Sequence, residues 1–135
     1  MYAIKTDIKD SEAGVFDFPH QKTMYGGKKV APGDTIYLFD SENEGGIGLV
    51  AKGVVVSVTA TPKRTDLERQ TPRVSITVRR TALAKRSLGR KELKRYANWG
   101  DGRPETEMNF KFYRQATNKI VGISEDAAAF LEAHF

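Results

Sequence analysis

The sequence predicts a mixed α+β domain built round a strongly curved sheet or small barrel. Three observations predict it. Arg73–Arg80 alternates strictly, with Val74, Ile76 and Val78 on one face and Arg73, Ser75, Thr77 and Arg79 on the other, the period of a half-buried strand. Ile47–Val58 is a longer apolar run interrupted by Gly53, where a small barrel needs a bulge or sharp bend. Near the end, Ser124-Glu125-Asp126 places a cap and two acids ahead of an apolar stripe of Ala127, Phe130, Leu131 and Phe135, which marks a short helix.

The remaining elements follow in order. Tyr2–Thr6 alternates as a first strand. Asp7–Lys29 shows no clear period and carries Phe16, Phe18 and Tyr25 among Gly14, Pro19, Gly26 and Gly27. It is expected to be a long connection with at most a short helix, and such connections are often functional. Ala31-Pro32-Gly33-Asp34 is a turn, and Thr35–Asp40 a β-rich strand after it. Ser41–Gly46 is expected as a polar loop and Thr59–Pro72 as an exposed one. Ser87 is placed to cap a helix over Leu88–Ala97 with Leu93 and Tyr96 inward. Asn98–Thr106 is turn-rich and holds the sole tryptophan, Trp99, and Lys119–Ile123 is a last strand. No repeat or internal boundary appears, so residues 1–135 are expected to form a single domain.

Composition narrows the chemistry. There is no cysteine, which rules out disulfides, thiolate nucleophiles and cysteine-based zinc sites. The N-terminus lacks a basic stretch followed by an apolar run, and no apolar stretch is long enough to span a bilayer, so a cytoplasmic protein without membrane partners is expected. A net charge of +5 favours polyanionic partners. His20 and His134 are the only histidines, and satisfied or solvated rings explain both. No nucleophile elbow, phosphate loop or dinucleotide fingerprint is present. Asp40, Glu42 and Glu44 lie close together, but counting from Asp40 puts Ala51 where a calcium loop needs glutamate, so a solvated hairpin loop is expected and no metal. No cofactor is expected.

Two features favour nucleic acid. Arg79, Arg80, Lys85, Arg86, Arg90, Lys91, Lys94 and Arg95 crowd residues 79–95 with Glu92 as the sole acid, which suits phosphates, although a solvated helix face explains such a run equally well. Phe16, Phe18, Tyr25, Trp99, Phe110, Phe112 and Tyr113 fall in poorly periodic segments, where aromatics stack bases as well as pack cores.

The order of segments resembles the EVE domains of the PUA-like superfamily. Tyr2-Ala3-Ile4-Lys5-Thr6-Asp7 is similar to their opening strand ending in Lys-Ser-Glu, and Lys29–Ser41 to their Lys-Val-Gly-Asp segment and strand ending in Tyr-His-Ser. Gly46–Val55 resembles their Gly-Ile-Val-Gly-Ile-Ala-Glu-Val-Val strand. Arg73–Arg80 with Ser87–Lys94, and Tyr113-Arg114-Gln115 with Ile123–Asp126, resemble the later segments. The order is also similar to that of YTH domains. Departures are Phe16–Gln21 in place of a tryptophan-containing segment, Thr6 for serine and Asp40 for histidine.

The resemblance implies a curved mixed barrel of about five or six strands with short flanking helices. It implies a non-catalytic nucleic-acid-binding domain, for RNA or DNA, that takes a base, often modified, in a pocket at the barrel mouth. On this reading Lys5, Thr6, Asp7 and Ser41 read the base edge, and Phe18, Phe39 and Trp99 are candidate walls. Asn109, Arg114 and Gln115 close the pocket, and Arg79, Arg80, Arg86 and Arg90 hold phosphates. Two alternatives stand beside it. One is an amidohydrolase of the related ASCH type acting on modified nucleosides with a Lys/Thr/Glu set; adjacent Lys5 and Thr6 point to opposite faces of a strand, an objection that the twist at the strand end weakens for Thr6. The other is a protein-interaction module without a base ligand.

Overall fold

In the computed structural model, residues 1–62, 66, 73–115 and 118–135 are described. The strands are β1 (Tyr2–Thr6), β2 (Val15–Met24), β3 (Thr35–Asp40), β4 (Gly48–Ala60), β5 (Arg73–Leu83) and β6 (Lys119–Gly122). They close into a barrel in the order β1-β3-β4-β5-β2-β6. The β1/β3 and β2/β6 pairs are parallel and the other four antiparallel. Three short helices, α1 (Arg90–Leu93), α2 (Pro104–Asn109) and α3 (Glu125–Glu132), flank it, and a π-helical turn, Phe110–Gln115, continues α2. The predicted mixed barrel with flanking helices is thus the observed fold.

Burial along the strands explains the layering. β5 alternates because only its inner face is covered, with Val74, Ile76 and Val78 in the barrel interior. β3 is apolar from Ile36 to Phe39, and these four residues are all buried, because both of its faces are covered. Ile4, Ile36 and Leu38 fill the barrel with Phe16 and Phe18. Ala3, Tyr37 and Phe39 point the other way and pack against Leu93, Met108, Phe112, Ala127 and Leu131 of the helical layer. The molecule therefore has two cores separated by the β1/β3 wall.

Three elements differ from the sequence expectation. The segment expected as an aperiodic connection contains β2. Its alternation at Phe16 and Phe18 breaks at a bulge before Gln21, where His20 takes a positive φ of 52°. The helix expected over Leu88–Ala97 is confined to α1, with Gly89 rather than Ser87 at its N-cap. Leu88 cannot join it, because its carbonyl accepts from Leu49 N–H of β4 at 2.8 Å. Residues expected as loop and unassigned chain form α2, with Pro104 in its first turn, where the missing N–H costs nothing. The loop expected over Thr59–Pro72 begins within β4 and lies largely outside the described residues. No described helix is long and apolar enough to cross a membrane.

The last strand and terminal helix are as expected. Ser124 caps α3 by accepting Ala127 N–H at 3.0 Å, and Glu107 accepts Ser124 N–H at 2.9 Å, joining α2 to α3. Tyr37 donates to Glu132 at 2.8 Å, tying α3 to the barrel wall. Replacing Ser124 with alanine removes the cap and is expected to lower unfolding free energy by about 1 kcal/mol, measured by urea denaturation.

Candidate functional site

The site is built on the outer face of the β1/β3 wall. Lys5 belongs to β1, whose register with β3 sets it beside Phe39. Strand alternation turns it away from the barrel interior, and the residue is only 1% exposed beneath the helical layer. A buried ammonium requires partners. Its Nζ donates to the Phe112 carbonyl at 2.6 Å and lies 4.3 Å from the centroid of the Tyr113 ring. Burial lowers its pKa to about 8; the nearby Glu42 carboxylate opposes that fall and Arg90 adds to it.

Glu42 organises the next shell of contacts. It lies in the 3₁₀ turn Glu42–Glu44 after β3. Tyr113 Oη donates to its carboxylate at 2.9 and 3.0 Å, and Arg90 N–H donates to Oε2 at 2.6 Å. The carboxylate thus serves the first turn of α1, where the helix leaves its N–H groups free. The guanidinium of Arg90 lies 5.4 Å from the Tyr113 ring centroid. Burial raises the Tyr113 phenol above its ordinary range, and the neighbouring Glu42 charge adds to the rise. Glu42 and Asp40, expected in a solvated loop, are therefore structural: Asp40 also accepts Ile8 N–H at 3.0 Å.

Glycines allow these segments to meet. Gly48 holds φ at +89°, and a Cβ there would come within 2.3 Å of the Leu88 carbonyl oxygen. A Cβ on Gly89 would approach Glu42 Oε2 to 2.8 Å. Between the β3–β4 connection and α1 this close approach leaves an open cleft of about 600 Å³. Glu42, Ile47, Gly89, Arg90, Lys91 and Lys94 line it, with Ser87 and Glu92. Ile47 is 69% exposed there, a bare apolar side chain among charges. Ser41, immediately before Glu42, is fully buried, and its hydroxyl has no hydrogen-bond partner among the described residues.

The residues expected to form a barrel-mouth pocket do not converge on one place. Lys5 and Ser41 lie beside the Glu42 network. Thr6 shares the opposite face of β1 with Ile4, so a Lys5–Thr6 pair cannot act on one atom from this geometry. Asp7 is exposed just beyond β1. Phe18 is buried inside the barrel, stacked 5.8 Å from Phe16, and Phe39 is wholly buried edge-on to Phe112 at 4.9 Å; neither has a face open for a base. Asn109 is buried and donates to the Tyr96 carbonyl at 3.0 Å. Trp99, Arg114 and Gln115 are exposed, and Arg114 stacks over Trp99.

The four expected phosphate ligands also separate. Arg90 lines the cleft. Arg86 donates to the Ala133 carbonyl at the end of α3, and Arg80 to the Glu12 carbonyl, so both are tied to the fold. Arg79 is exposed on β5. Sequence reasoning missed Glu42, Ile47, Lys91, Lys94 and Tyr113 as site residues. The basic run named the two lysines only as members of a crowd. Both histidines have polar neighbours, Thr61 Oγ1 at 3.2 Å from His20 and the Phe130 carbonyl at 3.0 Å from His134.

No protein-family model and no curated protein sequence matches this chain. Solved structures do match in fold. The DUF55 domain of human thymocyte nuclear protein 1 superposes with a TM-score of 0.66 at 13% identity, covering 98% of this chain and 96% of that one. The same human protein in complex with DNA containing 5-methylcytosine superposes at 0.65 with 15% identity, over 98% and 95% of the two chains. A Pseudomonas putida protein matches at 0.63 with 13% identity, over 98% and 97%. These likenesses show that this chain shares the fold of those domains.

Two outcomes test the site. Tyr113→Phe removes a hydrogen bond to a charged carboxylate and is expected to cost about 1.5–3 kcal/mol in urea unfolding. Lys5 binds its proton more weakly folded than unfolded. Between about pH 8 and its ordinary value of 10.5, the unfolded chain therefore holds more protons at this position. Stability from this group accordingly rises with pH through that window. The wild-type chain is expected to gain stability relative to Lys5→Met between pH 8 and 10.5, measured by urea unfolding at each pH.

Proposed function

We propose that this protein is a nucleic-acid-binding domain that takes an unpaired pyrimidine base, 5-methylcytosine foremost, in the cleft between the β3–β4 connection and α1. The observation that carries this reading is the pairing of the Glu42 carboxylate with the exposed Ile47 side chain in one cleft rimmed by Arg90, Lys91 and Lys94. A carboxylate accepts from the exocyclic amine of cytosine, and an apolar side chain contacts a methyl at C5. A carboxylate offers about four lone-pair positions, so its bonds from Tyr113 and Arg90 leave room for another. The three cations suit the flanking phosphates. The fold supports the same reading, since the human protein that shares it is seen in complex with DNA containing 5-methylcytosine.

Anchoring matters to this function. Tyr113 and the Arg90 amide fix the carboxylate before any ligand arrives, so little ordering is left to cost affinity. Arg79 lies outside the cleft on β5 and adds only general attraction.

The test is fluorescence anisotropy with labelled single- and double-stranded DNA and RNA, carrying cytosine, 5-methylcytosine or thymine at one position, at two salt concentrations. Preference for 5-methylcytosine that survives the higher salt is expected. Ile47→Ser is expected to erase the preference for the methyl group while leaving affinity for unmodified cytosine. Lys94→Ala is expected to weaken every oligonucleotide alike and to reduce the salt slope by about 0.7–0.9. Equal binding to all probes that disappears with salt would leave only the basic surface, and absence of binding would end the nucleic-acid reading.

A further inference from the structure

Outside the cleft, the molecule carries a second arrangement of aromatic and cationic side chains. Trp99 lies in the connection between α1 and α2 and is 41% exposed. Its ring packs 5.3 Å from Phe110 at 59°, and the Arg114 guanidinium sits 5.2 Å from its centroid. One depression adjoins it and a second shares Arg103 with the first. The first, of about 230 Å³, is lined by Trp99, Phe110, Arg103 and Lys111. The other, of about 480 Å³, is lined by Arg95, Tyr96 and again Arg103. Arg95 stacks on Tyr96 at 5.0 Å, repeating the aromatic–guanidinium pairing. Arg103 lines both depressions, and Arg95 directly follows Lys94 of the base cleft in the chain.

The placement of Trp99 is not explained by core packing. The π-helical turn puts Phe112 fully into the core while Phe110 is only partly buried beneath Trp99. An indole packed on Phe110 and 41% exposed offers a π surface to a base that displaces or shares the Arg114 guanidinium now over the ring. Guanidinium groups nearby supply positive charge for phosphates and planes for further stacking. Lys111 is spent on Glu107, at 3.0 Å, and Arg103 lies 3.9 Å from Asp101. Neither Arg95 nor Arg114 has a carboxylate within ion-pair distance among the described residues.

We propose that Trp99, braced by Phe110 and flanked by Arg114 and Arg103, is a sequence-tolerant stacking platform for a second unpaired base of single-stranded nucleic acid. This is how proteins hold single strands without reading them: each base presents a π face to an aromatic ring while cations follow the backbone. The proposal rests on the cleft reading only in making this base a neighbour of the one in the cleft. It assigns the two surfaces different work, with the cleft discriminating and the platform retaining the strand.

The sole tryptophan makes the platform directly observable. The full chain is titrated with oligothymidylate while Trp99 fluorescence is followed, and Trp99→Ala is titrated in parallel by anisotropy of the labelled strand. Saturable quenching is expected, and Trp99→Ala is expected to weaken oligothymidylate binding about 5- to 150-fold. Trp99→Phe should recover part of that loss. An unchanged urea midpoint in Trp99→Ala would assign the loss to stacking. The proposal is overturned if the strand binds without quenching Trp99, if Trp99→Ala binds as tightly as wild type, or if inorganic polyphosphate quenches Trp99 equally. The two readings fail separately. Quenching without preference for 5-methylcytosine defeats only the cleft, and preference without quenching defeats only the platform.

Discussion

The buried ammonium of Lys5 is the constraint on which the rest of the site depends. Removing a charged amine from water is costly unless polar partners replace the water. Here the Phe112 carbonyl does so at 2.6 Å, with the Tyr113 ring face nearby. That carbonyl belongs to the π-helical turn after α2, where the regular i to i−4 pattern is broken. The turn therefore does two jobs. It brings an acceptor over Lys5, and it sets Tyr113 toward Glu42 while Phe112 enters the core.

From this point the cleft follows by a short chain of contacts. Tyr113 holds Glu42, Glu42 holds the first amide of α1, and α1 presents Arg90, Lys91 and Lys94 at the rim. Each link joins segments far apart in sequence, so disturbing any one moves the others. The parallel β1/β3 pair supports the chain from below. Because both faces of that wall are buried, the side chains on it have little freedom to move. Recognition is placed where a rigid two-sided strand pair meets loops, so that polar groups on adaptable segments are held by a firm base.

Much of the fold was legible because its signals are local. The alternation in β5, the acids after Ser124 and the continuous apolar run of β3 each report burial within a few residues. β2 was obscured for an equally local reason. The bulge near Pro19 and His20 shifts the register, so Phe16 and Phe18 lose their partners in the pattern. The length of α1 depended on something local signals do not contain. Leu88 is claimed by a backbone bond from β4, and the helix start is set by a carboxylate more than forty residues earlier in the chain.

By itself, the sequence determined the class of fold and the cationic character of residues 79–95. Those properties follow from composition and short-range order, which survive whatever the chain does at a distance. Only the tertiary structure decided which of these residues work together. It buried Phe18 and Phe39, tied Arg80 and Arg86 to backbone carbonyls, and left Arg90 facing the cleft. It also turned Glu42 from an apparent solvated loop acid into the anchor of the site. The physical reason is that exposure, partnering and charge environment are set by packing across the β1/β3 wall, between residues the chain itself keeps far apart.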